Sequence, residues 1–108
     1  MSDELQTRIE EIVKSNPVVI FMKGNASFPM CGFSNASVNV LKEIGHPFKA
    51  IDLIQEHPEL REAIKVYSKW PTIPQIYVGG EFVGGCDITI EMHKNGQLKP
   101  LIDAAVSA

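Results

Sequence analysis

An uninterrupted apolar run, Val18–Met22, followed by a loop and then a helical pattern, constrains this chain more than any other feature. The run does not alternate between apolar and polar residues, which predicts a central strand covered on both faces. Gly24 and Pro29 mark the loop after it, and apolar residues at helical spacing begin near Cys31. A strand covered on both faces is typical of α/β proteins. The apolar residues of the helical pattern are Phe33, Ala36, Val40, Leu41 and Ile44.

Cys31 stands where the predicted helix begins, and this position favours a reactive thiolate. Backbone N–H groups at a helix N-terminus lack partners within the helix, and the positive end of the helix dipole lies there. Both stabilise the thiolate, which is the form of cysteine that attacks disulfides and binds metals. Lys23, just upstream, can add a positive charge. The alternative is that Cys31 is a small buried apolar residue, as many free cysteines are.

The elements around this region follow from residue spacing and turn residues. A first helix precedes the apolar run, and the helix after the loop is expected to span about Gly32–Ile44 and to end at Gly45. A second strand over Phe48–Leu53 should pair in parallel with the first, since a strand–helix–strand order gives parallel strands. The first helix has Leu5, Ile9, Ile12 and Val13 as its apolar face, Ser2 or Asp3 as its cap, and Asn16-Pro17 as its stop.

The second half of the chain is predicted to contain three helices and a β-hairpin. A third helix opens at His57-Pro58, and the segment Trp70–Pro74 breaks the chain before the next strand. Two short strands joined by Gly79-Gly80 predict a hairpin with a type I′ turn. A fourth helix starts within Gly84–Asp87 and ends near Asn95-Gly96. The strands are Gln75–Val78 and Glu81–Val83, and the apolar faces are Leu60, Ile64 and Tyr67 in the third helix and Leu98, Leu101, Ile102 and Ala105 in the last.

Length and charge limit the classes of protein that this chain can be. Its 108 residues are expected to form a single domain, 1–108, with a core that needs no disulfides. A net charge of −3 predicts no nucleic-acid partner, and apolar runs far shorter than the roughly 20 residues of a spanning helix predict no membrane segment. Two cysteines and a polar, acidic N-terminus favour a cytoplasmic location, with a processed organellar form as the alternative.

Three separated segments carry a family resemblance: Cys31-Gly32-Phe33-Ser34, Trp70–Pro74 and Gly84–Asp87. In this order and spacing they make the chain resemble a monothiol glutaredoxin of the Cys-Gly-Phe-Ser type over nearly its whole length. The resemblance implies the thioredoxin/glutaredoxin fold, an α/β fold in which a four-stranded mixed β-sheet is flanked by about five helices.

Ser34 occupies the position where dithiol relatives carry a second, resolving cysteine. A hydroxyl cannot form a disulfide, so an external thiol or Cys86 must resolve any mixed disulfide at Cys31. Ser34 has a plainer interpretation as a solvated residue of the first helical turn. Cys86 also has two interpretations, a resolving thiol or a small residue where the backbone comes close to a ligand, and the sequence favours the second.

The Thr72–Pro74 segment resembles the family's cis-proline loop, which faces the active thiol. The resemblance implies that backbone groups of Ile73 pair with the extended tripeptide glutathione. Lys23 and Arg61 resemble the residues that hold its glycine carboxylate. The residues expected to bind glutathione are Lys23, Arg61, Thr72, Ile73, Pro74, Gly85, Cys86 and Asp87.

The other charges of glutathione are assigned to the start of the fourth helix. N–H groups at Cys86 and Asp87 suit the γ-glutamyl carboxylate, and the Asp87 side chain suits the ammonium group. Each residue also has a plainer interpretation: Asp87 as a helix cap, Arg61 as a solvated charge and Pro74 as a strand-edge proline. Their joint occurrence in this order favours the glutathione site.

Two functions of different classes fit Cys31. A 2Fe–2S cluster takes four thiolate ligands, and two chains with two bound glutathiones supply four. This agrees with what the resemblance implies, a cluster-bridged homodimer that passes its cluster to apo-proteins and also pairs with BolA-like proteins. The alternative is a glutathione-dependent thiol–disulfide oxidoreductase with Cys31 as nucleophile. A fold used only for protein contacts is the third interpretation.

Enzymatic turnover is expected to be low. Ser34 offers no resolving thiol, and the Gly24–Met30 loop, longer than in dithiol relatives, would misplace a second glutathione. No zinc or haem site is expected, because His46, His57 and His93 lack ligand spacing. Trp70 is expected to lie in the core.

Overall fold

The computed structural model describes residues 3–108, and this part of the chain holds four strands and five helices. No helix in it is both long and apolar enough to cross a membrane. Of the two predicted caps of the first helix, Ser2 lies outside the described residues and Asp3 is already helical. The elements are α1 Asp3–Ser15, β1 Val18–Met22, α2 Gly32–Ile44, β2 Lys49–Asp52, α3 Leu60–Ser68, β3 Gln75–Val78, β4 Glu81–Gly84, α4 Cys86–Lys94 and α5 Leu98–Ser107.

The four strands form one mixed sheet in the order β2-β1-β3-β4. Strand β1 pairs in parallel with β2 and antiparallel with β3, and β3 and β4 form the predicted hairpin. All five residues of β1 are buried, which confirms the prediction drawn from its non-alternating sequence. The predicted α/β class and the four-stranded mixed sheet flanked by five helices are therefore confirmed.

Two apolar clusters, one on each face of the sheet, make up the core. Successive strand residues point to opposite faces, so β1 divides its side chains between them. Val19 and Phe21 pack with α1 and α3, whereas Val18, Ile20 and Met22 pack with α2 and α5. Strand β1 needs apolar residues at every position because helices cover both of its faces.

Element ends follow the predicted turn chemistry. Helix α2 ends at Gly45 in the left-handed region (φ 94°), and the Gly45 N–H donates to the Leu41 carbonyl at 3.3 Å. The hairpin turn has positive φ at both Gly79 (61°) and Gly80 (81°), as a type I′ turn requires.

Three predicted details are wrong. Helix α3 begins at Leu60 rather than at Pro58, because the Leu60 N–H bonds the His57 carbonyl in a tight turn that precedes the helix. Leu101 is exposed, since Leu98 and Ile102 alone fix the buried face of α5. Phe33 is 65% exposed, because α2 buries the face defined by Ser34, Ser37, Val38 and Leu41.

Candidate functional site

Cys31 is the N-cap residue of α2. Its backbone is extended (φ −151°, ψ 157°), and its sulfur accepts the Ser34 N–H at 3.3 Å. N-cap side chains are usually oxygen acceptors, and here sulfur satisfies one of the N–H groups that the helix start leaves unpaired. The side chain is half-buried and the thiol is free, so Cys31 is not a core residue.

The thiol pKa of Cys31 lies below its ordinary value. Partial burial, the largest single influence, acts to raise the pKa. Hydrogen bonds from the Ser34 hydroxyl and from the Ser34 and Phe33 N–H groups, together with the charge of Lys23, outweigh it and lower the pKa. The site therefore favours the thiolate, as the helix-start argument predicts.

Ser34 is fully buried, so its interpretation as a solvated residue is wrong. Its Oγ lies 3.2 Å from the Cys31 sulfur and accepts the backbone N–H of Lys23 at 3.1 Å. Lys23 directly follows β1, and Ser34 lies in the first turn of α2. The hydroxyl thus links the end of the central strand to the capped start of the helix.

The loop between β1 and Cys31 is held by several hydrogen bonds. The Asn25 side-chain oxygen accepts the N–H groups of Ser27 and Phe28 at 2.9 and 2.8 Å, and the Met30 N–H donates to the Lys23 carbonyl at 2.8 Å. Gly24 pairs across the loop with Pro29. This fixed loop presents Phe28, 77% exposed, on the surface beside the thiol segment.

A cavity of about 450 Å³ lies between β1, α2, α3, the segment before β3, and the start of α4. It brings together all eight residues predicted to bind glutathione. Cys31 is not one of its lining residues and joins the site through Lys23, whose charge acts on the thiol. The residues lining the cavity are Lys23, Phe33, Arg61, Lys65, Trp70, Pro71, Thr72, Ile73, Pro74, Gly85, Cys86, Asp87 and Ile88.

The wall before β3 contains a cis peptide bond between Ile73 and Pro74, as the resemblance implies. Within the described chain, the Ile73 backbone makes no hydrogen bond to another protein group. Its N–H and carbonyl are therefore available to form hydrogen bonds with a ligand bound in the cavity. Pro74 is buried, which does not fit an ordinary exposed strand-edge proline.

A second wall is the first turn of α4. Gly85 is the N-cap residue of this helix, so the interpretation of Asp87 as the cap is wrong. Asp87 is exposed and lines the cavity, whereas Cys86, the first helical residue, is buried and has a free thiol. A Cβ on Gly85 would lie 3.3 Å from the Pro74 carbonyl, so the two walls approach closely here.

The glutaredoxin family profile matches residues 18–83, more than half of the chain. A Synechocystis protein named as an uncharacterized monothiol glutaredoxin is 47% identical, over the whole length of both chains. The chain belongs to the monothiol glutaredoxins. A chloroplastic monothiol glutaredoxin of Arabidopsis thaliana is also 47% identical, over 98% of this chain and 61% of the plant protein, so the chain spans about three fifths of that relative. The mitochondrial monothiol glutaredoxin-5 of Saccharomyces cerevisiae is 46% identical, over 97% of this chain and 71% of the yeast protein.

Solved glutaredoxins share the fold over nearly the whole chain. Reduced apo GrxS14 of poplar has a TM-score of 0.82 at 44% identity, over 96% of this chain and 94% of that one. A buckwheat glutaredoxin–glutathione complex has a TM-score of 0.84 at 26% identity, over 97% and 96%. The holo form of poplar glutaredoxin C1 has a TM-score of 0.86 at 29% identity, over 98% and 93%.

Several lining residues of this glutaredoxin escaped the sequence prediction. Trp70, expected in the core, is 36% exposed and lines the cavity, with its ring 5.9 Å from that of Phe82. Lys65 lies one helical turn after Arg61, and this i, i+4 spacing was a usable signal. Phe33 stands within the Cys31–Ser34 motif but was assigned to the apolar face of α2, and Ile88 adjoins the motif residue Asp87, which was the only signal for it.

Metal-ligating side chains are dispersed. The described residues contain no group of three or more His, Cys, Asp or Glu side chains able to hold a metal ion. Each histidine instead lies beside a carboxylate: His46 with Asp103 at 2.7 Å, His93 with Glu43 at 3.4 Å, and His57 with Glu59 at 3.5 Å.

Proposed function

We propose that this monothiol glutaredoxin binds glutathione in the cavity, and that two copies with two glutathiones hold a 2Fe–2S cluster for transfer to apo-proteins. One observation carries the proposal: a half-exposed thiol with a lowered pKa lies beside Lys23, and Lys23 lines a cavity together with Arg61 and the N-terminus of α4. This arrangement suits a thiol tripeptide with two carboxylates and one ammonium group.

The charges of the cavity walls support glutathione as the ligand. Lys23 and Arg61 would bind the glycine carboxylate, and the N–H groups at the start of α4 would bind the γ-glutamyl carboxylate. Asp87 would pair with the ammonium group, and the Ile73 backbone would pair with the ligand backbone. The similar buckwheat glutaredoxin, whose structure is a complex with glutathione, supports the same choice.

The ligand count supports a cluster shared between chains. Such a cluster takes four thiolates, and Cys31 is the one half-exposed thiol of the described chain, Cys86 being buried. Two Cys31 thiolates and two glutathione thiolates would complete the set, with the cluster as cargo rather than resident cofactor. The homodimer, BolA-like partners and apo-protein recipients are parts of the same proposal.

The proposed location is the cytoplasm, with an organelle as the alternative. The chloroplastic and mitochondrial relatives support that alternative. Cell fractionation followed by detection of the protein distinguishes the two compartments.

Anaerobic reconstitution with iron, sulfide and glutathione tests the cluster. We expect a brown dimer with about one cluster per two chains, and a monomer before reconstitution. Without glutathione, in a reductant that is not a thiol, we expect neither colour nor dimer. An equal cluster yield without any small thiol would show that protein residues supply every ligand, and would end the proposal.

A lysine substitution tests the glutathione part of the proposal. Lys23→Ala should weaken glutathione binding roughly ten-fold, because a charge-assisted contact is lost. Lys99→Ala is the matched control, since Lys99 pairs with Asp103 on α5 and does not line the cavity. Titration calorimetry measures both, and equal affinity of the two variants would remove Lys23 from the site.

The lowered pKa of Cys31 favours a second candidate function, glutathione-dependent reduction of mixed disulfides. The Cys31 thiolate would attack the glutathione sulfur of a mixed disulfide and release the other thiol. A second glutathione thiolate would then attack the Cys31–glutathione disulfide, free Cys31 and leave as glutathione disulfide.

We expect low turnover, far below that of a dithiol glutaredoxin in the same glutathione-coupled assay. Ser34→Cys should not restore it, because the fixed Gly24–Met30 loop would still hinder the second glutathione. High wild-type turnover would favour the enzyme over the carrier. Full rescue by Ser34→Cys would remove the loop from the explanation.

A further inference from the structure

Gln75, the first residue of β3, is fully buried directly behind the cavity wall formed by residues 70–74. Its side-chain Nε2 donates to the Trp70 carbonyl and to the Thr72 carbonyl, each at 3.2 Å. Both hydrogens of the amide are therefore used, one on each of two carbonyls in the same short segment.

Few other hydrogen-bond donors lie near these two carbonyls. Residues 70–74 lie outside any helix or strand, and Pro71 and Pro74 have no N–H. In the described chain this segment makes no backbone–backbone hydrogen bond, and the Ser68 hydroxyl, 3.5 Å from the Trp70 carbonyl, is the other donor near it. The Gln75 amide thus supplies the hydrogen bonds that these carbonyls would receive from a neighbouring strand if the segment belonged to the sheet.

Tyr77 fixes which way the amide points. Its hydroxyl donates to the Gln75 Oε1 at 3.2 Å, so the oxygen faces the core and the NH₂ group faces the segment. The Tyr77 ring is buried against Phe21, Tyr67 and Phe82, with ring centroids 5.3–6.0 Å apart. Burial raises the pKa of Tyr77, so its hydroxyl remains a donor at neutral pH.

We propose that Gln75 is a positioning residue for the ligand cavity: its amide, oriented by Tyr77, draws the Trp70 and Thr72 carbonyls inward. The backbone of Ile73, which directly follows the second of these carbonyls, is left to face the ligand. For the identity of the ligand this rests on the proposed glutathione function. The positioning itself rests on the hydrogen bonds of the chain alone.

The single tryptophan of the chain, Trp70, reports on the segment directly. Gln75→Met keeps the length of the side chain and removes both donors, so the segment should loosen and the Trp70 emission should shift to the red in ligand-free protein. Gln6→Met is the matched control, because the Gln6 Nε2 also donates to a backbone carbonyl, that of Ala63 at 3.1 Å, on α3. Its emission should equal that of the wild type.

Titration calorimetry with glutathione completes the test. Gln75→Met should weaken binding about ten-fold, and Gln6→Met should not. Tyr77→Phe, which removes one hydroxyl and keeps the ring, should give a smaller change in the same direction. It also serves as the test variant if Gln75→Met does not fold.

The outcomes separate the two proposals. Wild-type emission and affinity in both Gln75→Met and Tyr77→Phe would overturn the role of Gln75. Failure of the wild type to bind glutathione would overturn the proposed ligand, whereas a red shift confined to the Gln75 and Tyr77 variants would still support the positioning.

Discussion

Cys31 and Cys86 both stand at the start of a helix, and their surroundings differ in almost every other respect. Cys31 precedes the first turn of α2 as its N-cap, with an extended backbone that turns the sulfur back onto the Ser34 N–H. Cys86 is already the first helical residue of α4, behind Gly85, and is 9% exposed. The structure gives no hydrogen bond to the Cys86 sulfur among residues 3–108.

The comparison shows that the position of a cysteine at a helix start decides whether its sulfur accepts a backbone N–H group. Cys31 is the cap residue of its helix, one position earlier than Cys86 is in its own. At the cap position the sulfur accepts backbone N–H groups, and these hydrogen bonds activate the thiol. The buried Ser34 hydroxyl and Lys23 then add to this activation. Cys86 lies at a wall of the cavity and is buried there.

The largest expected difference between the two cysteines is in cluster assembly. Cys31→Ser should abolish the brown colour of reconstituted protein, because a ligand is lost, whereas Cys86→Ser should largely keep it. Absorption spectra with iron and sulfide analysis measure both. A Cys31→Ser variant with full cluster occupancy would contradict the comparison.

Alkylation rates give the next largest contrast. At neutral pH iodoacetamide should modify Cys31 more than about ten-fold faster than Cys86, because thiolate content and exposure set the rate. Mass spectrometry of peptides over time distinguishes the two sites. Comparable rates would mean that burial does not protect Cys86.

Glycine substitutions compare the loop that precedes Cys31 with the residue that precedes Cys86. Gly24→Ala combines a positive φ (86°) with a Cβ 2.5 Å from the Phe28 carbonyl, and should destabilise the fold by about 3 kcal/mol. Gly85→Ala, 3.3 Å from the Pro74 carbonyl without a positive φ, should cost about 1 kcal/mol or less. Urea unfolding measures both, and equal losses would show that the Gly24 loop yields to the added methyl group.

The smallest effect concerns the serine that distinguishes the Cys31 site. Ser34→Ala removes a hydrogen bond that lowers the pKa of Cys31, so the pH profile of Cys31 alkylation should move to higher pH. Ser37→Ala is the control, since Ser37 is equally buried in α2 and its hydroxyl donates to the Phe33 carbonyl at 3.0 Å. Coinciding profiles for the two variants would assign the lowered pKa to the backbone N–H groups and Lys23 without the Ser34 hydroxyl.

Most of the fold could be predicted because local signals and tertiary contacts agree in it. Three local signals predicted the conformation that the structure has: the apolar run of β1 a buried strand, Gly45 the end of α2, and Gly79-Gly80 a type I′ turn. The segments that build the site could also be found, since each contains proline, glycine or cysteine in an informative position.

The burial of individual side chains could not be predicted where it depends on which face of a helix or strand packs against the rest of the chain. Ser34 is polar and yet buried, because two partners from other positions, the Lys23 N–H and the Cys31 sulfur, satisfy it. Phe33 and Trp70 are apolar and yet exposed, because they line a cavity rather than a core. Gln75 carries no motif signal, since its partners are carbonyls that become neighbours only in the folded segment.

The Cys31 sulfur is at once the reacting atom and the cap of α2, so its chemistry and the local opening of the helix are coupled. A sulfur in a mixed disulfide is neutral and accepts the Ser34 N–H less well than a thiolate does. Loss of an N-cap acceptor typically costs a helix about 0.5–2 kcal/mol. Glutathionylation of Cys31 should therefore speed hydrogen–deuterium exchange in the first turn of α2, and reduction should slow it again.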